Sequence, residues 1–470
     1  GEYDSAEKTY RRALALRQQQ LGDDHLETAI TTNNLAILLE LAGKYGESEQ
    51  LQKNALQVFL KHRGNHHPDT AAALSNLASL LRFRGDYEQA ESLYRQALSI
   101  YDEGHGWGVH LHTAHTLQGL AQLLSDKAVF KEAETHYKRS LNIRLQILGK
   151  NHPILAQNLH GMAGLYIDQG RFKEAEKFLH HALKLRQQGL GEAHPLTAYT
   201  LFTLANFYSD FGDYEKAKPF YERALEIRTK VLGLEHSQTA QSMQGLANLW
   251  VDTGQWDTAA KLYAQVLNVQ RRVLGNQHSD VATTLNNYAN LLTQLGDYKQ
   301  AQQCYEESLA IKSAIYGDDH RSTATTLSNL ANLLRHTGAY EEAAKQYQEA
   351  LCIFESVLGS NHLHTANVLH GFAGVLHDKG DLASSQDLHE RSLNIRQGHL
   401  GDSHLFTAHS LHGLAALMHD KGHYDNSRDM LQRSLEIRQK VLGADHPQTS
   451  HSLQGLGSLL HELGDYDGSR

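Results

Sequence analysis

Imidazole is the recurrent reactive group of this chain. It has 32 histidines in 470 residues, and eleven of them keep a fixed spacing. His25, His67, His110, His152, His194, His236, His278, His320, His362, His404 and His446 follow at 42-residue intervals, with a single step of 43 between His67 and His110. An imidazole can move protons, ligate zinc, nickel or copper, or accept a hydrogen bond at the start of a helix. A catalytic residue occurs once on a scaffold, so eleven equivalent copies point to structure. Each is expected just before a helix, where a neutral ring nitrogen accepts an exposed N–H or fills the joint between repeats. A second group, His370, His377, His409, His412, His419, His451 and His461, is confined to the C-terminal third. A metal site needs donors within about 2.0–2.2 Å of one ion. Equivalent positions on adjacent helical hairpins lie roughly 8–10 Å apart. These rings therefore read as polar groove residues that stack or hydrogen-bond, and neither a metal nor a cofactor is expected.

Two further columns emerge when positions are counted from each loop histidine. Asn206, Asn248, Asn290 and Asn332 stand twelve residues after it, and Asn34, Asn76, Asn287 and Asn329 nine after it. An amide both donates and accepts, so a column of them can clamp the backbone of an extended peptide without reading its side chains. The alternative is hydrogen bonding between adjacent repeats. Both columns are present together at Asn287, Asn290, Asn329 and Asn332. Sixteen residues after the histidine stand Asp126, Asp168, Asp210, Asp252, Asp378, Asp420 and Glu462. A carboxylate at a C-terminal helix end opposes the macrodipole, so local helix stability does not explain the row. It would attract a basic ligand, or else pair with arginines such as Arg144, Arg186 and Arg228. With His370 and His412, these amides and carboxylates make up the candidate groove. There is no nucleophile–base constellation, phosphate-cradling glycine loop, HExxH or CxxC pattern, and the chain reads as non-enzymatic.

The elements that position these columns follow from the repeat itself. After His320, Leu327, Leu330, Ala331 and Leu334 fall at i, i+3, i+4 and i+7, one stripe of a helix. Gly338 ends it. A second helix begins near Tyr340, with Ala343, Tyr347, Ala350, Leu351 and Phe354 on its apolar side, and stops at Leu358-Gly359. Ala90, Ala133, Ala175, Ala217, Ala259, Ala301 and Ala343 share one position of the second helix, where a small side chain lets helices approach closely. Tyr87, Phe130, Phe172, Tyr214, Trp256, Tyr298, Tyr340, Tyr424 and Tyr466 share another and are expected to wedge between hairpins. Pro68, Pro153, Pro195 and Pro447 follow loop histidines, and the prolines read as helix starts. The only insertion lies in 102–110, around Trp107, and the next turn carries Ala128 in place of glycine. It is either a tolerated loop variation or a mobile loop that presents Trp107 to a partner. Residues 1–7 and 464–470 share one phase and lack polar caps, as in a segment of a longer protein or a unit that stacks head to tail.

The pattern Gly-x-x-His, Thr-Ala-x-x-Leu, Leu-Leu, Gly-x-Tyr resembles the tetratricopeptide repeat, in the 42-residue form of kinesin light chains and nephrocystin-3-like proteins. Their Leu-Gly-x-x-His-Pro-x-Thr-Ala-x-x-Leu-Asn-Asn-Leu-Ala phrase survives most fully at 274–289 and 63–78. The resemblance implies an all-α, right-handed α-solenoid (superhelix) of about eleven helix-turn-helix units. These would form one continuous domain over 1–470, with units at 1–42, 43–84, 85–127, 128–169, 170–211, 212–253, 254–295, 296–337, 338–379, 380–421 and 422–463, and the start of another at 464–470. It also implies a concave groove lined by the first helices, whose asparagines hold an extended or short helical peptide. The expected function is a non-enzymatic interaction scaffold for a protein or peptide ligand, a basic one where the acidic row takes part. The alternatives are a filament built by end-to-end self-association, and the sensing arm of a larger regulator such as an NTPase. A net charge of −9 disfavours nucleic acid, which needs a basic face. Two isolated cysteines, Cys304 and Cys352, the absence of any Asn-x-Ser/Thr acceptor and the lack of an apolar run near 18 residues suggest a cytoplasmic location and no membrane span.

Overall fold

The computed structural model describes residues 3–104, 107–444 and 446–464. Among these residues there are 22 helices and no strand. The first eight are α1 (Tyr3–Leu21), α2 (Leu26–Leu41), α3 (Tyr45–Arg63), α4 (Pro68–Phe83), α5 (Tyr87–Glu103), α6 (Leu111–Asp126), α7 (Phe130–Leu148) and α8 (Leu155–Asp168). Next come α9 (Phe172–Leu190), α10 (Pro195–Asp210), α11 (Tyr214–Leu232), α12 (Ser237–Asp252), α13 (Trp256–Leu274), α14 (Ser279–Leu295) and α15 (Tyr298–Tyr316). The last are α16 (Arg321–His336), α17 (Tyr340–Leu358), α18 (Leu363–Lys379), α19 (Leu382–Leu400), α20 (Leu405–Asp420), α21 (Tyr424–Leu442) and α22 (Pro447–Glu462). Even-numbered helices are the first of each hairpin and odd-numbered helices the second. Tyr466, His105, Gly106 and parts of the two terminal segments lie outside the described residues.

The loop histidines cap the first helices, except His152, whose bond falls on the turn just before α8. From His25 to His446, all eleven accept the backbone N–H two residues ahead on Nδ1, at 3.1–3.2 Å. An N–H that the helix cannot satisfy internally is thereby paired, and the ring is held with its proton on Nε2. The threonine of the Thr-Ala phrase reaches backward. Thr70 Oγ1 donates to Gly64 O at 2.8 Å and Thr365 Oγ1 to Gly359 O at 2.9 Å, tying each second helix to the next hairpin. The alanine that follows is fully buried, as at Ala71 and Ala366. Both hairpin turns use glycine at positive φ, where a side chain costs roughly 1–2 kcal/mol. Ala128, at φ 58°, is the one non-glycine residue with positive φ among the described residues.

Contacts divide the chain into two compact units. One comprises 1–206, 218–285 and 310–317, and the other 207–217, 286–309 and 318–470. In the first, helices α1 to α9 pack in chain order, and α2, α4, α6 and α8 also touch one another in succession. In the second, α16 to α22 do the same, with α16, α18 and α20 side by side. The first helices thus line one face of each unit. The small-residue column is completely buried from Ala90 to Ala343. Serine serves there too, since Ser385 donates to Ala373 O at 2.8 Å.

Three sequence expectations are corrected. The wedge position is filled unevenly: Tyr87 is buried and Tyr340 and Tyr424 pack on the core, but Trp256 and Tyr298 are exposed, and the rings fully locked in the core are Tyr94, Tyr137, Tyr221, Tyr263, Tyr305 and Tyr347, seven residues further along the second helix. Trp107 does not stand out as a contact. It stacks on Tyr101 at 6.0 Å, lies tilted against His110 at 4.3 Å and packs on the core of Ala71, Leu74 and Ala97, filling the space that its longer loop creates. Pro219 marks no helix start and lies inside α11, although near its beginning.

Candidate peptide-binding groove

The asparagine column twelve residues after each histidine has a partner on the second helix. Tyr221 donates to Asn206 Oδ1 at 2.6 Å, Tyr305 to Asn290 at 2.5 Å and Tyr347 to Asn332 at 2.6 Å, and Tyr263 makes the same bond to Asn248. With the hydroxyl donating to the amide oxygen, each bond anchors the amide and leaves the NH2 as the presented group. Asn290 and Asn332 are exposed, and Asn206 and Asn248 half-buried. The neighbouring column bonds across repeats: Asn329 donates to Asn286 at 3.1 Å and Asn76 to Asn33 at 3.4 Å, while Asn287 accepts from Asn286 at 3.5 Å.

The acidic row is paired, though not with the arginines the sequence suggested. The residue just before the acid in one repeat reaches the acid of the next. Arg82 bonds Asp126 at 2.7 Å, Arg335 holds Asp378 through Nε at 2.5 Å and Nη2 at 3.1 Å, His377 bonds Asp420 at 2.8 Å, and His419 bonds Glu462 at 2.6 Å. The His419 and His377 bonds hold the Asp420 carboxyl below the usual carboxylate range. Ser125 occupies the cation's position opposite Asp168, donating at 3.2 Å. Asp168 faces groove water yet is crowded by protein. That incomplete hydration, with the nearby Asp126 charge, pushes its carboxyl up to about 6. Asp210 and Asp252 end α10 and α12 at exposed positions.

Arg144, Arg186 and Arg228 are buried and reach the next first helix. Arg186 donates to Leu196 O and Thr200, each at 2.8 Å, and Arg228 to Gln238 O and Ser242 at 2.8 Å, while Arg144 bonds Asn158. Burial lowers the guanidinium of Arg144 and of Arg228 to about 10.

Each unit carries a trough on its first-helix face. In the first unit a cavity of about 510 Å³ is lined by Gln118, Gln157, Thr203, Asp126 and Asp168. His160 lies beneath it, stacked on Tyr199 at 5.3 Å, and burial drives it down to about 3. In the second unit a cavity of about 630 Å³ runs between α16, α18 and α20 and gathers Asn329, Asn332, His370 and His409. The expected repeat-to-repeat separation misplaced these rings. They meet on the diagonal, His370 on His409 at 4.3 Å and His412 on His451 at 4.5 Å, one first helix against the next. Burial and neighbouring cationic or imidazole groups lower His412 to about 4 and His370 well below its ordinary value. Among the described residues no three His, Cys, Asp or Glu side chains are grouped to hold a metal ion.

The profile of the tetratricopeptide repeat matches in overlapping windows at 1–61, 32–103, 111–188, 155–230, 196–272, 238–314, 280–356, 322–398, 364–440 and 406–470. This chain is a tetratricopeptide-repeat protein. Its tandem repeats make it an all-α solenoid and a protein–protein interaction scaffold, on a fold that is generally non-catalytic. No curated protein matches the chain. Among solved structures, it is similar to a Podosopora anserina putative kinesin light chain with nearly identical TPR-like repeats, at 24% identity over 44% of this chain and 97% of that one, TM-score 0.38. BtubC (BKLC) from P. vanneervenii is 22% identical over 50% and 91%, TM-score 0.39. A Rap protein complexed with Competence and Sporulation Factor is 17% identical over 79% and 99%, TM-score 0.54. Among the described residues of the tetratricopeptide-repeat chain, no helix is long and apolar enough to cross a membrane.

Sequence reasoning missed the tyrosine that orients each asparagine and the cations of the acidic row. The signal lay between columns of the repeat. Tyrosine accompanies Asn206, Asn248, Asn290 and Asn332, whereas Leu179 and Leu431 occur with Gly164 and Ala416 at the asparagine position.

Proposed function

We propose that the tetratricopeptide-repeat chain holds an extended or short helical segment of another protein along its first-helix face. Asn206, Asn248, Asn290 and Asn332 act there as oriented donors to the segment's backbone carbonyls. The observation that carries this reading is the tyrosine hydroxyl behind each amide. It anchors the amide, so a polar group is set in place before the ligand arrives and less rotamer entropy is lost on binding. A basic side chain of the segment is received at Asp168, whose opposing residue is Ser125 rather than a cation. The fold shared with a Rap protein complexed with Competence and Sporulation Factor is in keeping with a peptide ligand.

A peptide array probed with the intact chain, followed by affinity measurement on the best segment, tests this. Asn290→Ala with Asn332→Ala is expected to weaken binding about tenfold while leaving helicity intact. An array without segment preference, or unchanged affinity in the double variant, overturns it.

A further inference from the structure

The trough of the second unit differs from the other in sign: among the described residues, no carboxylate lines it. Arg396, almost wholly buried, forms its floor. That guanidinium donates to Phe406 O at 3.1 Å, Ser410 Oγ at 2.6 Å and Asn367 Oδ1 at 2.8 Å, all neutral acceptors. Among the described residues no carboxylate pairs with it. The two acids nearest in register are already held, Asp378 by Arg335 and Asp420 by His377 and His419. The same trough is lined by His389, 3% exposed, its Nδ1 without a hydrogen-bond partner, and its ring 5.0 Å from that of His370. Nδ1 of His370 is likewise buried and unpartnered. A buried cation without a counter-charge and buried imidazoles without partners are each costly, and one ligand relieves both.

We propose that this trough binds a phosphoryl group on Arg396, His389 and His370, with an attached aromatic ring lying against Phe406, whose exposed ring stands 5.7 Å from the guanidinium. The phosphoryl dianion suits the site better than a carboxylate. A carboxylate compensates the guanidinium alone, whereas a phosphate monoester carries up to two charges and three acceptor oxygens and has a second pKa near 6. The imidazoles are neutral because burial disfavours their charge, reinforced for His370 by His409, Arg396, His389 and Arg335, and for His389 by His377, Arg396 and Arg335. A dianion among them reverses that field, so an imidazole takes up a proton as the anion enters. Space for it is the cavity of about 630 Å³ itself. Glycine at position 413 seats both imidazole rings against α20, since a Cβ there would lie 2.5 Å from the His370 ring and 2.9 Å from that of His389. The inference deepens the reading of this face as a peptide groove. It rests on that reading only for the phosphoryl group being carried by a bound segment.

Calorimetric titration of the intact chain with inorganic phosphate, phenyl phosphate and benzoate at constant ionic strength tests it without any peptide, so an unselective array does not decide the result. Saturable binding of the phosphates is expected, with proton uptake near pH 7 seen in buffers of different ionisation enthalpy. Arg396→Gln is expected to weaken it about tenfold or more. That variant copies a pairing the chain already uses, Gln270 with Thr284 at 2.8 Å, so the fold is retained. Arg186→Gln, in the acid-lined trough, is expected to leave it unchanged. Tighter binding of phenyl phosphate assigns the group to a phosphorylated aromatic side chain, and equal binding to free phosphate. Either result upholds the site. No saturable binding, benzoate matching phenyl phosphate, or Arg396→Gln matching wild type overturns it.

Discussion

Lowering the pH from 7 to 5 should loosen the second unit around α19, and His389 allows the size of the effect to be worked out. The ring is 3% exposed and faces His370, His377, Arg335 and Arg396. Burial first, then those neighbours, lowers it from 6.5 to about 4. A depressed imidazole is favoured neutral in the fold, so its contribution is complete above about 6.5. It is lost as pH falls from 6.5 through 4, because over that window the opened chain takes up a proton that the closed one refuses. At pH 5 the loss is about 2 kcal/mol, roughly a 30-fold rise in the opening equilibrium. His389→Leu removes this while keeping the fold, because Leu179 and Leu431 fill the same position in other repeats. Hydrogen exchange of α19 peptides at pH 7 and pH 5, corrected for intrinsic rates, reads it directly. The wild-type chain should lose about 30-fold more protection than the variant between the two values. Equal losses would refute the assignment of acid sensitivity to this ring.

Ala128→Gly should stabilise the chain by about 1 kcal/mol, since it releases the left-handed strain at φ 58°, and a rise in the denaturation midpoint of the first unit would show it. His236→Ala should cost about 1 kcal/mol through loss of the cap to Gln238 N, with His236→Asn restoring most of it in the same denaturation assay. Tyr347→Phe should cost about 1 kcal/mol, and in a double-mutant cycle with Asn332→Ala the two losses should not add, because both remove one hydrogen bond. Ser125→Arg places a cation where Arg82 and Arg335 serve other repeats. NMR titration of Asp168 should then show its carboxyl falling from about 6 toward the ordinary range.

The fold was legible because its determinants repeat within the chain. A glycine at positive φ, a histidine ahead of a helix and a buried alanine each act through their own backbone or nearest turn, so one column of the 42-residue register suffices to read them. The groove was less legible because its chemistry lies between columns. Whether Asp378 is a free charge depends on Arg335, 43 residues earlier, and whether Asn332 presents an oxygen or an NH2 depends on Tyr347, fifteen residues later. Reading Arg186 as a partner of the acidic row failed for the same reason. Composition shows a cation and an anion, but only the packing of a second helix on the next first helix shows that the guanidinium is taken by Leu196 O and Thr200.

The pairing of neighbouring columns also explains how one repeated scaffold acquires distinct sites. Where the column before the acid supplies arginine or histidine, the groove charge is spent inside the chain, and a passing ligand meets a dipole rather than a charge. Replacing one member uncovers the other. Ser125 uncovers Asp168 in the first unit, and in the second the arginine column, elsewhere matched by the same neutral hydroxyls, meets a trough without acids and a ring of imidazoles. A single substitution per repeat thus changes the sign of a local site without disturbing the caps and small residues that hold the hairpins. Specificity along such an array is therefore written in the exceptions to its own repeat, as at Ser125 in one trough and His389 in the other.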